Sequence, residues 1–161
     1  MAPRLDPDDE IDDETLRLLA LVGRSAEQRL EEALKAHGAD IEQWRILSLL
    51  AERGGCPMNV VAEHAMMLAP KLSKLVDRMV SANLVLRRAD ELDRRRVLIA
   101  ASPRGKQALA VWDEAAAGVR REFSRILGPD AAVFDELLGR LRRGLQVPGA
   151  EAAASVLADP A

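Results

Sequence analysis

A chain of 161 residues is long enough for one domain with a conventional hydrophobic core that needs neither metals nor disulfides. Apolar residues make up 48% and charged residues 30%, which excludes a disordered chain on one side and a membrane-embedded one on the other. The formal net charge of −3 argues against a nucleic-acid partner until its distribution is read: seven acidic residues lie between Asp6 and Glu14, whereas Lys71 to Lys106 carries ten basic and four acidic ones, a local net of +6.

The amino terminus is acidic where a secretory or transit peptide would be basic, and the apolar runs are short and interrupted, so a cytoplasmic location without membrane association is predicted. Asp12, Asp13 and Glu14 suit the first turn of a helix; Asp6 to Glu10 read as a tail. From Ile11 to Leu34, Leu16, Leu19, Val22, Ala26, Leu30 and Ala33 recur at helical spacing and predict a long first helix. His37-Gly38-Ala39-Asp40 is a stop followed by a new N-cap, and Ile41, Trp44, Ile46, Leu47 and Leu50 carry a second helix to Gly54-Gly55. Beyond Pro57, Val60 to Ala65 predicts a short third helix, closed by a turn around Met66 to Ala69, in which the two methionines fill the core. Pro70 fits the first turn of a fourth helix.

That fourth helix has the clearest pattern in the chain. Plotted at roughly 100° per residue, Leu68, Leu72, Leu75, Val76, Met79 and Val80 fall on one side and Lys71, Lys74, Arg78 and Ser81 on the other. Helical periodicity ends at Asn83. Leu84 to Arg88 and Val97 to Ala101 are β-prone runs joined by a charged segment, and predict a two-stranded hairpin. Ser102-Pro103 is a cap followed by proline at a first helical position, opening a helix that runs to about Leu127. Gly128-Pro129-Asp130 breaks it, and Val133 to Leu145 define a last helix, after which 148–161 is an alanine-rich tail suited to a short helix or a disordered end. Neither an internal repeat nor a second core is evident. The predicted fold is mainly α with a small two-stranded β-wing.

Two short helices joined by a tight turn, the second with a basic outward face, describe a helix-turn-helix whose recognition helix lies in the major groove. Pro70, Lys71, Ser73, Lys74 and Arg78 are its candidate DNA contacts, reaching phosphates or base edges. A solvated helix face would show the same stripe, so the decisive feature is the hairpin that follows. Arg94, Arg95 and Arg96 on a projecting tip suit an adjacent minor groove, with Asp93 placed to hold one guanidinium in a bidentate pair.

These residues resemble the multiple antibiotic resistance regulator (MarR) family of winged helix-turn-helix repressors. The resemblance covers about residues 12–145 and is most specific over 60–105: Val61-Ala62, Leu75-Val76-Asp77-Arg78-Met79, Asn83-Leu84-Val85-Leu86-Arg87, Asp93-Arg94-Arg95 and Ala101-Ser102-Pro103-Arg104-Gly105 stand in the family's order. Asn83 replaces a usual glycine, Ala101-Ser102 replaces Leu-Thr, and Pro57 stands where a Thr or Ser often caps the third helix. The resemblance implies dimerisation through the first helix and the last two, double-stranded DNA with a palindromic operator as partner, and a small, often aromatic or anionic effector bound near Arg17, Arg24, His37, Trp44 and Arg45. An intramolecular ion pair for Arg45 and a solvated Arg17 are the alternative. On this reading 1–36 is a dimerisation helix with an acidic tail, 37–102 the DNA-binding lobe and 103–147 the second dimerisation element, ahead of the tail 148–161.

No cofactor is expected. The single cysteine excludes an internal disulfide and a multi-cysteine zinc site, two histidines, His37 and His64, argue against metal chemistry, and Cys56, read as a loop residue, is more simply incidental than a redox sensor. There is no glycine-rich phosphate loop, no nucleophile with a neighbouring base and no paired acid in a pocket, which disfavours an enzyme. A winged helix docking an acidic protein partner is the rival reading.

Overall fold

The computed structural model describes residues 11–145; the acidic run Asp6 to Glu10 and the tail 148–161 lie outside the described residues. Contacts divide the chain into two compact units, one through Val119 and one from Arg120.

The first unit opens with α1 (Asp13–Lys35), capped by Asp12, whose carboxylate accepts the Thr15 amide N–H at 2.7 Å. That interaction satisfies an otherwise orphaned helix donor. Hydrogen bonding from the Thr15 hydroxyl, and then from its amide, holds the Asp12 carboxyl below the ordinary aspartate range. Leu34 at the far end is buried, whereas Leu16, Leu19 and Val22 are about half exposed. The expected apolar stripe is therefore covered only along its C-terminal part.

Asp40 opens α2 (Ile41–Arg53) with a capping box: it accepts from the Gln43 amide at 2.8 Å, and its own N–H donates to the Gln43 side chain at 3.3 Å. Ile46, Leu47, Leu49 and Leu50 drive this helix into the core, where they pack with Leu72, Leu75, Val76 and Met79 of α4 (Ala69–Ser81) and Val61 and Ala65 of α3 (Met58–Ala65). Burying such large aliphatic side chains contributes roughly 1.5–3 kcal/mol each before the entropic cost of ordering them.

The hairpin forms as β2 (Val85–Ala89) and β3 (Val97–Ala101), with Val85 opposite Ala101 and Ala89 opposite Val97. The two-stranded expectation is corrected by a third strand, β1 (Cys56–Pro57), which pairs antiparallel with β3 in the order β1-β3-β2. Proline is tolerated there because an edge strand need not donate on both sides. Cys56 is thereby a strand residue and buried, not a loop residue; desolvation pushes its thiol pKa up, partly opposed by the Arg53 charge. A thiol so placed lacks the exposure and acidity that redox sensing requires.

Helix α5 (Pro103–Leu127) starts where the sequence places it. Ser102 is buried, accepts the Gly105 N–H at 2.9 Å and donates to the carbonyl of Asn83. Leu109 and Trp112 of α5 join the core, and the half-buried Trp44 of α2 donates its indole N–H to Asp113 at 2.8 Å. The second unit comprises the end of α5, a 3-10 turn at Gly128–Asp130 and α6 (Ala131–Leu145), which has no buried residue. Among the described residues, no helix is long and apolar enough to cross a membrane.

Candidate nucleic-acid interface

The recognition-helix candidate divides as its sequence dictates. Leu72, Leu75, Val76 and Met79 are buried, while Pro70, Lys71, Ser73, Lys74 and Arg78 are all exposed on α4. Val80 is partly buried against the same core. Leu68 departs from its expected place. It is 81% exposed, because it is the N-cap, with extended backbone at φ −69° and ψ 144°, so helical periodicity does not govern its side chain. The turn before it is similar: Met66 closes α3 in the left-handed conformation at φ 53° and is 77% exposed, whereas Met67 packs against the core. Of the two methionines expected inside, one is outside.

Two ion pairs that sequence reasoning missed tie α4 to its surroundings. The Lys71 ammonium is paired with the carboxylate of Glu42 on α2, and Asp77 accepts from the Arg87 guanidinium of β2 at 2.6 Å. The first engages a candidate DNA contact; the second fastens α4 to the hairpin. Neither could be read from helical spacing, because the partners are 29 and 10 residues apart.

The wing tip is built by its acidic residues. The Asp90 carboxylate accepts the Leu92 N–H at 3.0 Å, and the Asp93 carboxylate accepts the Arg95 N–H at 3.0 Å. The Asp93 carbonyl accepts from the Arg96 amide at 2.9 Å, and the Asp90 N–H donates to the Arg96 carbonyl at 3.0 Å, closing the loop. The expected bidentate pair between Asp93 and an arginine is thus replaced by a turn in which aspartate satisfies backbone N–H groups. Arg94, Arg95 and Arg96 are all exposed. Three guanidiniums on a backbone-stapled tip and Lys74 and Arg78 on the helix before it make a surface that can neutralise phosphates on two elements at once.

The effector candidates scatter. Arg45 pairs with Glu27 at 2.8 Å, and Trp44 is engaged with Asp113. Arg17 lies exposed beside Glu14 at 3.8 Å, and His37 is exposed in the turn after α1. Arg24 does line a cleft of about 400 Å³, together with Glu27, Gln28, Glu31, Asp40, Ile41 and Glu42. Three of its carboxylates already have cations, Glu27 in Arg45, Glu31 in Lys35 and Glu42 in Lys71, and Asp40 caps α2. Among the described residues, no group of three or more His, Cys, Asp or Glu side chains is arranged to hold a metal ion.

A family model described as the MarR family matches residues 37–96. The HTH-type transcriptional regulator FarR of Neisseria gonorrhoeae is 31% identical over 99 residues, an alignment covering 62% of this chain and 60% of that protein. The chain thus spans about three fifths of the length of the curated relatives it matches, at 60% and 61%. AbsC, a MarR family transcriptional regulator from Streptomyces coelicolor, is 29% identical with a TM-score of 0.67, covering 96% of this chain and 99% of that one. A probable transcriptional regulator from Pseudomonas aeruginosa is 30% identical with a TM-score of 0.63, covering 76% of this chain and 96% of that one. Residues 37–96 of the chain thus carry the MarR family pattern.

Each departure from the MarR pattern has a local account. Asn83 takes the left-handed φ of 57° that ends α4, which its short polar side chain tolerates better than most residues. Ser102 keeps the cap that a threonine would supply. The motif glycine, Gly105, is required: a Cβ there would lie 1.9 Å from the Leu84 carbonyl oxygen. Pro57 leaves α3 without a side-chain cap, and pairing with β3 anchors the helix start instead.

Proposed function

We propose that this chain is a sequence-specific DNA-binding transcriptional regulator of the MarR family, a non-enzymatic cytoplasmic repressor that leaves a palindromic operator when a small molecule binds. The observation that carries this reading is the pair of adjacent exposed basic elements, Lys74 and Arg78 on α4 and Arg94, Arg95 and Arg96 on the stapled wing. A helix of this kind fits the major groove, and an arginine tip fits the narrow, electronegative minor groove beside it.

The operator would be read by a homodimer. Supporting this are the half-exposed Leu16, Leu19, Leu21 and Val22 of α1 and the exposed Val133, Leu137, Leu141 and Leu145 of α6. An apolar surface of that extent calls for a partner, and a second copy would set two recognition helices about one DNA turn apart. On this division 1–36 and 103–147 dimerise, while 37–102 binds DNA. The effector would act by changing the separation of the recognition helices.

The test is a titration of the full chain with duplex DNA at several salt concentrations. Binding should select particular duplexes and weaken steeply with salt, and Arg95→Ala should weaken it further. Salt-insensitive binding without sequence preference would point instead to an acidic protein partner. Normal operator binding by Arg95→Ala would remove the wing from the interface.

A further inference from the structure

The leading edge of α4 carries two local costs on one residue. Leu68 occupies an N-cap, where Ser, Thr, Asp or Asn would accept a helix N–H, and no side-chain cap is made. It also exposes 81% of a leucine to water on a surface otherwise lined by Lys71, Ser73 and Lys74. Two residues earlier, Met66 repeats the pattern, as a non-glycine residue at φ 53° that is 77% exposed. A serine at one position and a glycine at the other would relieve these costs, so the apolar side chains stand here at the expense of local stability. Local cost of this kind on an exposed surface clusters at ligand-binding sites.

Their neighbours define the partner. An apolar tip flanked by exposed ammonium groups is complementary to a surface on which apolar groups are framed by phosphates. The major groove of duplex DNA offers one such group, the C5-methyl of thymine. We infer that Leu68, with Met66 beside it in sequence, reads thymine methyl groups at the leading end of the recognition helix, and so sets part of the operator preference. This rests on the DNA-binding reading above and adds to it a base and an atom. The polar α4 residues are left to phosphates and other base edges.

The probe is a duplex recovered from a random-sequence library by binding to the full chain, resynthesised with deoxyuridine in place of thymidine one position at a time. That exchange removes the methyl and leaves the Watson–Crick edge intact. At one or more positions in each half-site the wild-type chain should lose roughly fourfold in affinity per methyl, the equivalent of about 0.8 kcal/mol for a methyl-sized group. Leu68→Ser should bind the thymidine and deoxyuridine duplexes alike at those positions. Its salt slope should be that of the wild type, because no charge is altered. It should also melt about 2–4 °C higher, since the new hydroxyl gives the Lys71 N–H an acceptor. Equal binding of both duplexes by the wild type overturns the inference, as does discrimination that persists in Leu68→Ser, which would mark an effect of DNA shape. A change in the sedimentation mass of the free protein on Leu68→Ser overturns it too, because the exposed leucine would then face another copy of the chain. If no duplex is enriched from the library at all, it is the DNA-binding reading that fails.

Discussion

Lys71 and Lys74 stand three residues apart on the exposed side of α4, yet their electrostatic situations differ. Lys71 already has an anion in Glu42, and a phosphate must displace it. An exposed ion pair of this kind is worth about 0.2–1 kcal/mol, which is subtracted from whatever Lys71 gains on DNA. Lys74→Ala is therefore expected to weaken operator binding by about 1.5 kcal/mol, roughly tenfold, and to lower the salt slope by about one. Lys71→Ala should cost measurably less, and Glu42→Gln should narrow the difference. Fluorescence anisotropy over a salt series would decide it. Gly105 gives a prediction for the fold itself. The Leu84 carbonyl oxygen, 1.9 Å from where a Cβ would sit, is backbone and cannot swing aside. Gly105→Ala should destabilise the chain by about 3 kcal/mol, seen as a lower urea midpoint.

At the scale of elements, α1 should be sensitive to acid at its first turn. The Asp12 carboxyl is lowered by its Thr15 hydrogen bonds, so the stabilisation is fully present above the unfolded aspartate pKa of about 3.9 and is lost as pH falls through the lower folded value. The protection of the Thr15 amide, its exchange measured relative to the intrinsic rate at each pH, should be lost across that window, and Asp12→Ala should lack that protection throughout. How far the elements could be read from sequence follows from what fixes each of them. The span of α5 was legible because its signals are local: Ser102-Pro103 at one end and Gly128-Pro129 at the other. The buried side of α4 was legible from periodicity, since Leu72, Leu75, Val76 and Met79 recur along a regular helix. Strand β1 was not, because two residues carry no period and Cys56 becomes a strand residue only when Ile99 of β3 pairs with it. Leu68 escapes the periodicity because the helix begins at Ala69 and its N-cap has extended backbone. In the candidate site, residue types were legible, but which carboxylate meets which cation was not. The Glu42–Lys71 and Asp77–Arg87 pairs exist only once α2, α4 and β2 have packed, whereas the bond of Asp93 to the Arg95 N–H is a local turn in which the carboxylate meets backbone and not a guanidinium.

For the whole molecule, the opposed distribution of charge and apolar surface matters more than the net charge of −3. A chain whose α1 leaves Leu19 and Leu21 at 44% and 60% exposure, and whose α6 buries nothing within its own unit, is expected to associate. Leu19→Glu and Leu137→Glu should each shift the sedimentation mass from dimer to monomer at micromolar concentration. Because a monomer holds one recognition helix, operator affinity should fall far more than any single α4 substitution achieves.

The hydrogen bond from Trp44 to Asp113 gives the protein an optical property of its own. The chain contains two tryptophans and no tyrosine, so its ultraviolet emission comes almost wholly from a half-buried indole on α2 and a buried one, Trp112, on α5. Exchanging Trp112 for phenylalanine would leave a single fluorophore whose N–H is anchored across the joint between the two helices. A red shift of that emission when a small molecule is added would report the loosening of this joint without any attached dye, and an unchanged spectrum would localise the response elsewhere.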